Sequence, residues 1–177
     1  MNAQMNIESV DSSYRAAIEY LAKNKKNKDF YNHGGEHAKI VFANIFENAK
    51  HEVRIFAEDL KSDVPNSGEY KQALSKFFEN GGTAKIMIEN NPDLNKPIYE
   101  LLRTNKDKVS IKKTSIRPKY ENVFVNFSTA DDHIYRLEVD KEEKLARGNF
   151  NDTKFTTMLN ERFDAMFADE RSQSIPI

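Results

Sequence analysis

The chain has 177 residues, no cysteine, no tryptophan, and 27 basic against 28 acidic side chains, a formal net charge of −1. Those numbers exclude disulfides, thiol catalysis and cysteine-held zinc, and they argue against a protein whose main work is gripping nucleic acid non-specifically, because such domains are usually basic. The length suits one domain with a real core, no apolar run is long enough to span a bilayer, and the N-terminus lacks the basic start and apolar stretch of a signal peptide, so the expected location is the cytoplasm.

In chain order, Tyr14, Ala17, Ile18 and Leu21 recur at helical spacing and predict an amphipathic helix over 12–23, with Asp11, Ser12 or Ser13 as its N-cap. The run "KNKKNKD" (23–29) reads as a short basic linker. Residues 1–30 are therefore expected to form an N-terminal helix and linker, 31–170 the main domain, and 171–177 a loose tail. A helix is predicted over 35–50, with Ala38, Val41, Ile45 and Ala49 on one stripe, and a strand over 51–59. Residues 67–82 give a strong helix whose buried face is Tyr70, Ala73, Leu74, Phe77 and Phe78, stopped by Gly81-Gly82. A strand at 83–90, a short helix at 95–105 that tolerates Pro97 in its first turn, and a strand at 108–115 follow.

That alternation predicts an α/β domain with parallel crossovers. The second half changes character. Strands at 122–129 and 133–140 are joined by a tight polar turn, a third is expected at 143–150, and a closing helix at 152–170 carries Phe155, Met158, Leu159, Phe163, Met166 and Phe167 on one face. The fold expected is a mixed sheet flanked by helices, with an additional N-terminal helix.

Some features have ordinary explanations. "HGGEH" (33–37) spaces His33 and His37 as two metal ligands on a helix, but Gly34-Gly35 is poor helix material, and a linker running into a helix start explains the stretch without a metal. Neither Gly-Gly pair has the flanking residues of a phosphate loop. From Arg103 to Tyr120 there are seven basic residues and one acidic one, which reads as a solvated surface, with a phosphate-facing patch as the sharper alternative.

The stretch "DDHIYRLEVD" (131–140) and the following "GNFND" (148–152) resemble the signature of the phospholipase D superfamily in its single-motif, nuclease-like form. That signature is His-x-Lys-x4-Asp, then Gly-Ser-x-Asn or a variant. His133 matches the histidine and Asp140 the aspartate. Gly148 matches the glycine, with Asn149 at the serine position and Asn151 at the asparagine position. The lysine position holds Tyr135, and the spacer from Asp140 to Gly148 is one residue longer than usual. The resemblance runs from about residue 35 to 170.

The resemblance implies phosphodiester hydrolysis without metal or cofactor. One histidine attacks phosphorus to give a phosphohistidine, a second protonates the leaving group, and lysines hold the non-bridging oxygens. It also implies a homodimer that brings two copies of residues 133–151 together. Tyr135 carries no positive charge at neutral pH. Arg136 does, but on a regular strand it faces the other way and could enter the site only through a bulge. Two functions follow. The first is a non-catalytic module, acting as a dimer or complex subunit, that binds a phosphate-bearing ligand, nucleic acid or a protein through His133, Tyr135, Arg136, Asn149, Asn151 and the basic run 103–119. The alternative is a metal-independent phosphodiesterase or nuclease using His133 and Asp140. If the resemblance is set aside, His133 is a histidine near a turn, hydrogen-bonded to Asp131 or Asp132.

Overall fold

The computed structural model describes residues 2–177, with side chains from Asp11 onward. In chain order the elements are α1 (Asn2–Lys23), β1 (Phe30–Asn32), α2 (Gly34–Asn48), β2 (Glu52–Ala57), α3 (Asp63–Asn66), α4 (Gly68–Glu79), β3 (Thr83–Ile88), α5 (Pro97–Thr104), β4 (Val109–Thr114), β5 (Lys119–Tyr120), β6 (Val123–Phe124), β7 (Asn126–Ala130), β8 (Ile134–Asp140), β9 (Leu145–Asn149), α6 (Thr153–Ala168) and β10 (Ser172–Ser174). Eight strands form one mixed sheet in the order β1-β9-β8-β7-β2-β3-β4-β10. Only β2, β3 and β4 run parallel, joined by crossovers through α3, α4 and α5. The remaining pairs are antiparallel.

Each sheet face has its own core. Ile55, Ile86, Ile88 and Ile134 point toward the helical layer of α1, α2, α4 and α5 and meet Phe46, Leu74, Phe78 and Leu102. On the other face Phe56, Met87, Phe127, Tyr135 and Leu137 pack on Leu159, Phe163 and Met166 of α6. The period-2 alternation along β2, β3, β7 and β8 assigns residues to these two layers. Arg54 of β2 ties α6 down through a bidentate pair with Asp164, at 2.9 and 3.0 Å.

The α/β mixed sheet agrees with the expectation from sequence, and four local features differ. The first helix begins at Asn2, so Asp11, Ser12 and Ser13 are interior helical residues and not caps. It packs on its own domain: Ile18 and Ala22 are buried, Tyr14 stacks on His37 at 3.7 Å, and Arg15 pairs with Glu69. The expected strand 122–129 breaks in two at Val125: β6 pairs with β5 in a separate hairpin, turned by Glu121 and Asn122 at positive φ (48° and 67°), and β7 joins the main sheet. The tail is not loose: β10 pairs with β4, and the Ser172 hydroxyl bonds to Met166 O at 2.6 Å. Finally, β1 follows the linker directly and forms the sheet edge beside β9, with Phe30 opposite Gly148.

Gly148 allows that last contact. A Cβ there would run into the Phe30 ring and into the Tyr135 carbonyl oxygen. Phe30 is 5% exposed and stacks on Phe150 at 5.0 Å. Gly148→Ala should therefore destabilise the fold by about 1–3 kcal/mol through overpacking, read as a lower urea midpoint. An unchanged midpoint would show that Phe30 does not sit on β9.

Candidate functional site

The turn between β7 and β8 is built by Asp131. Its φ is +50°, and its carboxylate accepts the backbone N–H groups of Lys50 (2.8 Å), His51 (2.8 Å) and Glu52 (3.1 Å). A short acidic side chain that tolerates the left-handed region is what this corner needs. His133 lies in that turn, one residue before β8. Its Nδ1 is 2.9 Å from Asp132 Oδ1, which holds the Asp132 carboxyl below its usual range. Its carbonyl accepts the N–H of Asp152, the N-cap of α6, at 2.9 Å. His133 thus has the local partner that a turn histidine has.

Three of the motif positions converge: Tyr135, Asn149 and Asn151. Tyr135 and Asn149 face each other across β8 and β9, and each is 1% exposed. The Tyr135 ring packs on Phe155 at 4.6 Å. Burial, reinforced by the nearby Asp29 carboxylate, pushes its phenol up to about 12, with Arg147 opposing. The Asn149 side-chain oxygen Oδ1 accepts the Asn151 backbone N–H at 2.8 Å, the local turn that leads the chain into α6.

The surroundings of these groups come from far away in sequence. The linker after α1 lies across them. Asn149 Nδ2 is 2.9 Å from both Asn27 Oδ1 and Asp29 Oδ1. The Tyr135 hydroxyl donates to the same Asp29 oxygen at 3.5 Å. Asn151 Nδ2 donates to the Lys25 carbonyl at 2.9 Å. An acidic side chain therefore occupies the donors that an incoming anion would need.

Asp140 and Arg136 are elsewhere. Asp140 is at the far end of β8, about 20 Å along the strand at ~3.3 Å per residue, where it caps the β8–β9 turn through the N–H groups of Glu142 and Glu143, both at 3.0 Å. Arg136 is 3% exposed on the opposite face, bonded to Asn32 (3.0 Å) and Glu138 (2.9 Å) and placed over the Phe42 ring. The irregularity in β8 falls between Glu138 and Asp140, beyond Arg136, and does not turn it toward His133. The structure therefore sets Arg136 on the far face, as strand alternation implies, and Asp140 at the opposite end of β8 from His133.

The cation on the Tyr135 face is Arg147. It stacks on Phe155 (5.1 Å) and Tyr120 (5.4 Å) and donates to the Tyr120 hydroxyl at 3.1 Å. Its position two residues before Asn149 puts it on that face by strand alternation, a signal present in the sequence. His33 and His37 diverge, toward Glu143 and toward Tyr14 with Asp11. Among the described residues no group of three or more His, Cys, Asp or Glu could hold a metal ion, and no helix is long and apolar enough to cross a membrane. The basic run 103–119 is used locally. Lys108 and Lys112 donate to the carbonyls of Phe78 and Phe167, Arg117 pairs with Glu89, and Arg103 donates to Leu94 O.

This architecture is the phospholipase D fold. The Salmonella typhimurium phospholipase D family member Nuc superposes with a TM-score of 0.59 at 12% identity, covering 85% of this chain and all of Nuc. NucT from Helicobacter pylori gives 0.61 at 12%, covering 84% and 99%. TrmBL2, an archaeal chromatin protein whose structure shows a mode of DNA binding, gives 0.61 at 13%, covering 97% of this chain and 65% of its own. No protein-family model and no curated protein matches the sequence.

The Tyr135 environment makes a pH prediction. Folding favours the neutral phenol, so this contribution is complete below pH 10 and is lost as pH rises toward about 12. Tyr135→Phe should therefore lose less stability than the wild type between those limits, read from urea midpoints. Equal losses would place the hydroxyl in solvent.

Proposed function

We propose that the chain is a non-catalytic phospholipase D-fold module, acting as a homodimer or complex subunit, in which the motif region serves as a structural joint. One observation carries this reading: the motif position that calls for lysine holds buried Tyr135, and the Asp29 carboxylate lies against Tyr135 and Asn149. A phosphodiester approaching Asn149 would meet a fixed negative charge where catalysis needs a positive one. The missing cation alone removes a contact of the kind that is worth about a hundredfold to a thousandfold in rate. With the linker seated, binding of nucleic acid or of a protein partner is assigned to other surfaces. The DNA-binding neighbour TrmBL2 makes nucleic acid a reasonable partner class to test. Catalysis would require the linker to leave and Arg147 to exchange Tyr120 for the phosphoryl group.

Purified protein incubated in EDTA with a chromogenic phosphodiester, single-stranded DNA and double-stranded DNA should show no turnover dependent on His133. Tyr135→Lys should stay silent too, because its ammonium would pair with Asp29. Wild-type cleavage that disappears in His133→Ala would overturn the proposal.

The dimer is tested separately. Sedimentation equilibrium at tens of micromolar, on the order of a weak Kd, should give twice the chain mass. A monomer at that concentration would count against an assembly that joins two copies of residues 133–151.

A further inference from the structure

A cavity of ≈ 170 Å³ lies on the sheet face opposite Tyr135, between α2, α4 and the strands β7 and β8. It opens at the C-terminal end of β2, beside the β8–β9 turn, and so is separate from the motif in both face and position. Its volume is below the ~300 Å³ at the low end of sites for drug-sized ligands, which suits a small metabolite.

The lining combines two kinds of surface. Phe42, Leu60, Val64 and Tyr70 make an apolar wall, and Ser128 and Arg136 present polar groups. Tyr70 is 3% exposed and Ser128 4%, and neither hydroxyl bonds to any described residue. The Asn126 side-chain oxygen Oδ1 beside them is buried without a partner among the described residues. Buried polar groups normally find partners, so the partnerless Asn126 oxygen, beside two hydroxyls that make no bond to a described residue, points to something that belongs there. Arg136 is held from below by Asn32 through Nε and by Glu138 through one terminal nitrogen, leaving the other terminal nitrogen free of both.

The charges restrict what that ligand is. Arg136, Lys141 and Lys144 line the cavity with Glu58, Asp59 and Glu138, three positive groups against three negative ones. A polyanion or polycation gains nothing from such a balance. The Lys141 ammonium is buried with no hydrogen bond to a described residue, 3.5 Å from Glu58 and 3.8 Å from Glu89. Cationic groups reach the polar floor and the rim, and the acids Glu58 and Asp59 stand at the mouth. We propose that this cavity binds a small zwitterion with an apolar body, an α-amino acid with an aliphatic or aromatic side chain. Its carboxylate would face Arg136 and the two hydroxyls, its ammonium Glu58 and Asp59, and its side chain Phe42 and Val64. The proposal is independent of whether the motif is catalytic.

The test is calorimetric titration and thermal melting of the full chain with L-leucine, L-methionine and L-phenylalanine. Isobutylamine, butyrate and glycerol are the comparison ligands. At least one amino acid should bind saturably and raise the melting midpoint, and the three comparison compounds should not. The double variant Tyr70→Phe/Ser128→Ala keeps the packing and removes only the hydroxyls. It should weaken binding by about tenfold or more, two hydrogen bonds at ~0.5–1.5 kcal/mol each, with the ligand-free midpoint unchanged. No saturable binding by the amino acids, equal binding by the double variant, or a preference for any of the three comparison compounds would each overturn the proposal.

Discussion

The shortness of residues 24–29, between α1 and β1, governs much of the molecule. Both ends of this connection are fixed. Upstream, Ile18 and Ala22 are buried against the domain, Tyr14 stacks on His37 and Arg15 pairs with Glu69. Downstream, β1 takes three register positions on β9, and Phe30 lies on Gly148 and Phe150. A chain of this length held at both ends must cross the C-terminal end of β9, where the motif asparagines are. Asp29 then meets Asn149 and Tyr135, and Lys25 meets Asn151. A hydrogen bond to a charged group is worth about 1.5–3 kcal/mol, enough to favour this seating over exposure of the polar cluster.

The residues singled out by the resemblance each have a structural task in this fold. Asn149 shapes the entry to α6, Asp140 caps the β8–β9 turn, Asp131 closes the corner onto β2, and Gly148 makes room for Phe30. None of these tasks needs a phosphate. Each holds β8, β9 and α6 in the arrangement that the fold requires. The position that the resemblance assigns to lysine also has a structural task, as a buried tyrosine packed on Phe155 in the second core. Fold and activity are separable properties.

Much of the fold was legible because its long elements carry clear periodicity. Tyr70 to Phe78 repeat with the helical period, and β3 and β8 alternate between two cores. The short strands β1 and β10 were not legible: three residues show no period, and their pairing partners lie more than fifty residues away. The site was legible in part. Tyr135 pairs with Asn149 across β8 and β9, and Asn149 bonds to the Asn151 N–H, whereas the His133 ring is held by Asp132 in the turn before β8. Arg136 was correctly expected on the far face from its position on the strand, and Arg147 could have been found by the same alternation. Asp29 could not, because its contact with Asn149 spans 120 positions and depends on how α1 packs.

The seating of the linker is tested most directly by a thermodynamic double-mutant cycle on Asp29 and Asn149. Asp29→Ala, Asn149→Ala and the double variant would be unfolded in urea at neutral pH. Groups in direct contact couple by about 0.5–3 kcal/mol, whereas independent sites add to within ~0.3–0.5 kcal/mol. A favourable coupling of at least ~0.5 kcal/mol is expected if Asp29 rests on Asn149 in solution. Strict additivity would contradict it and leave the motif open to an anionic ligand.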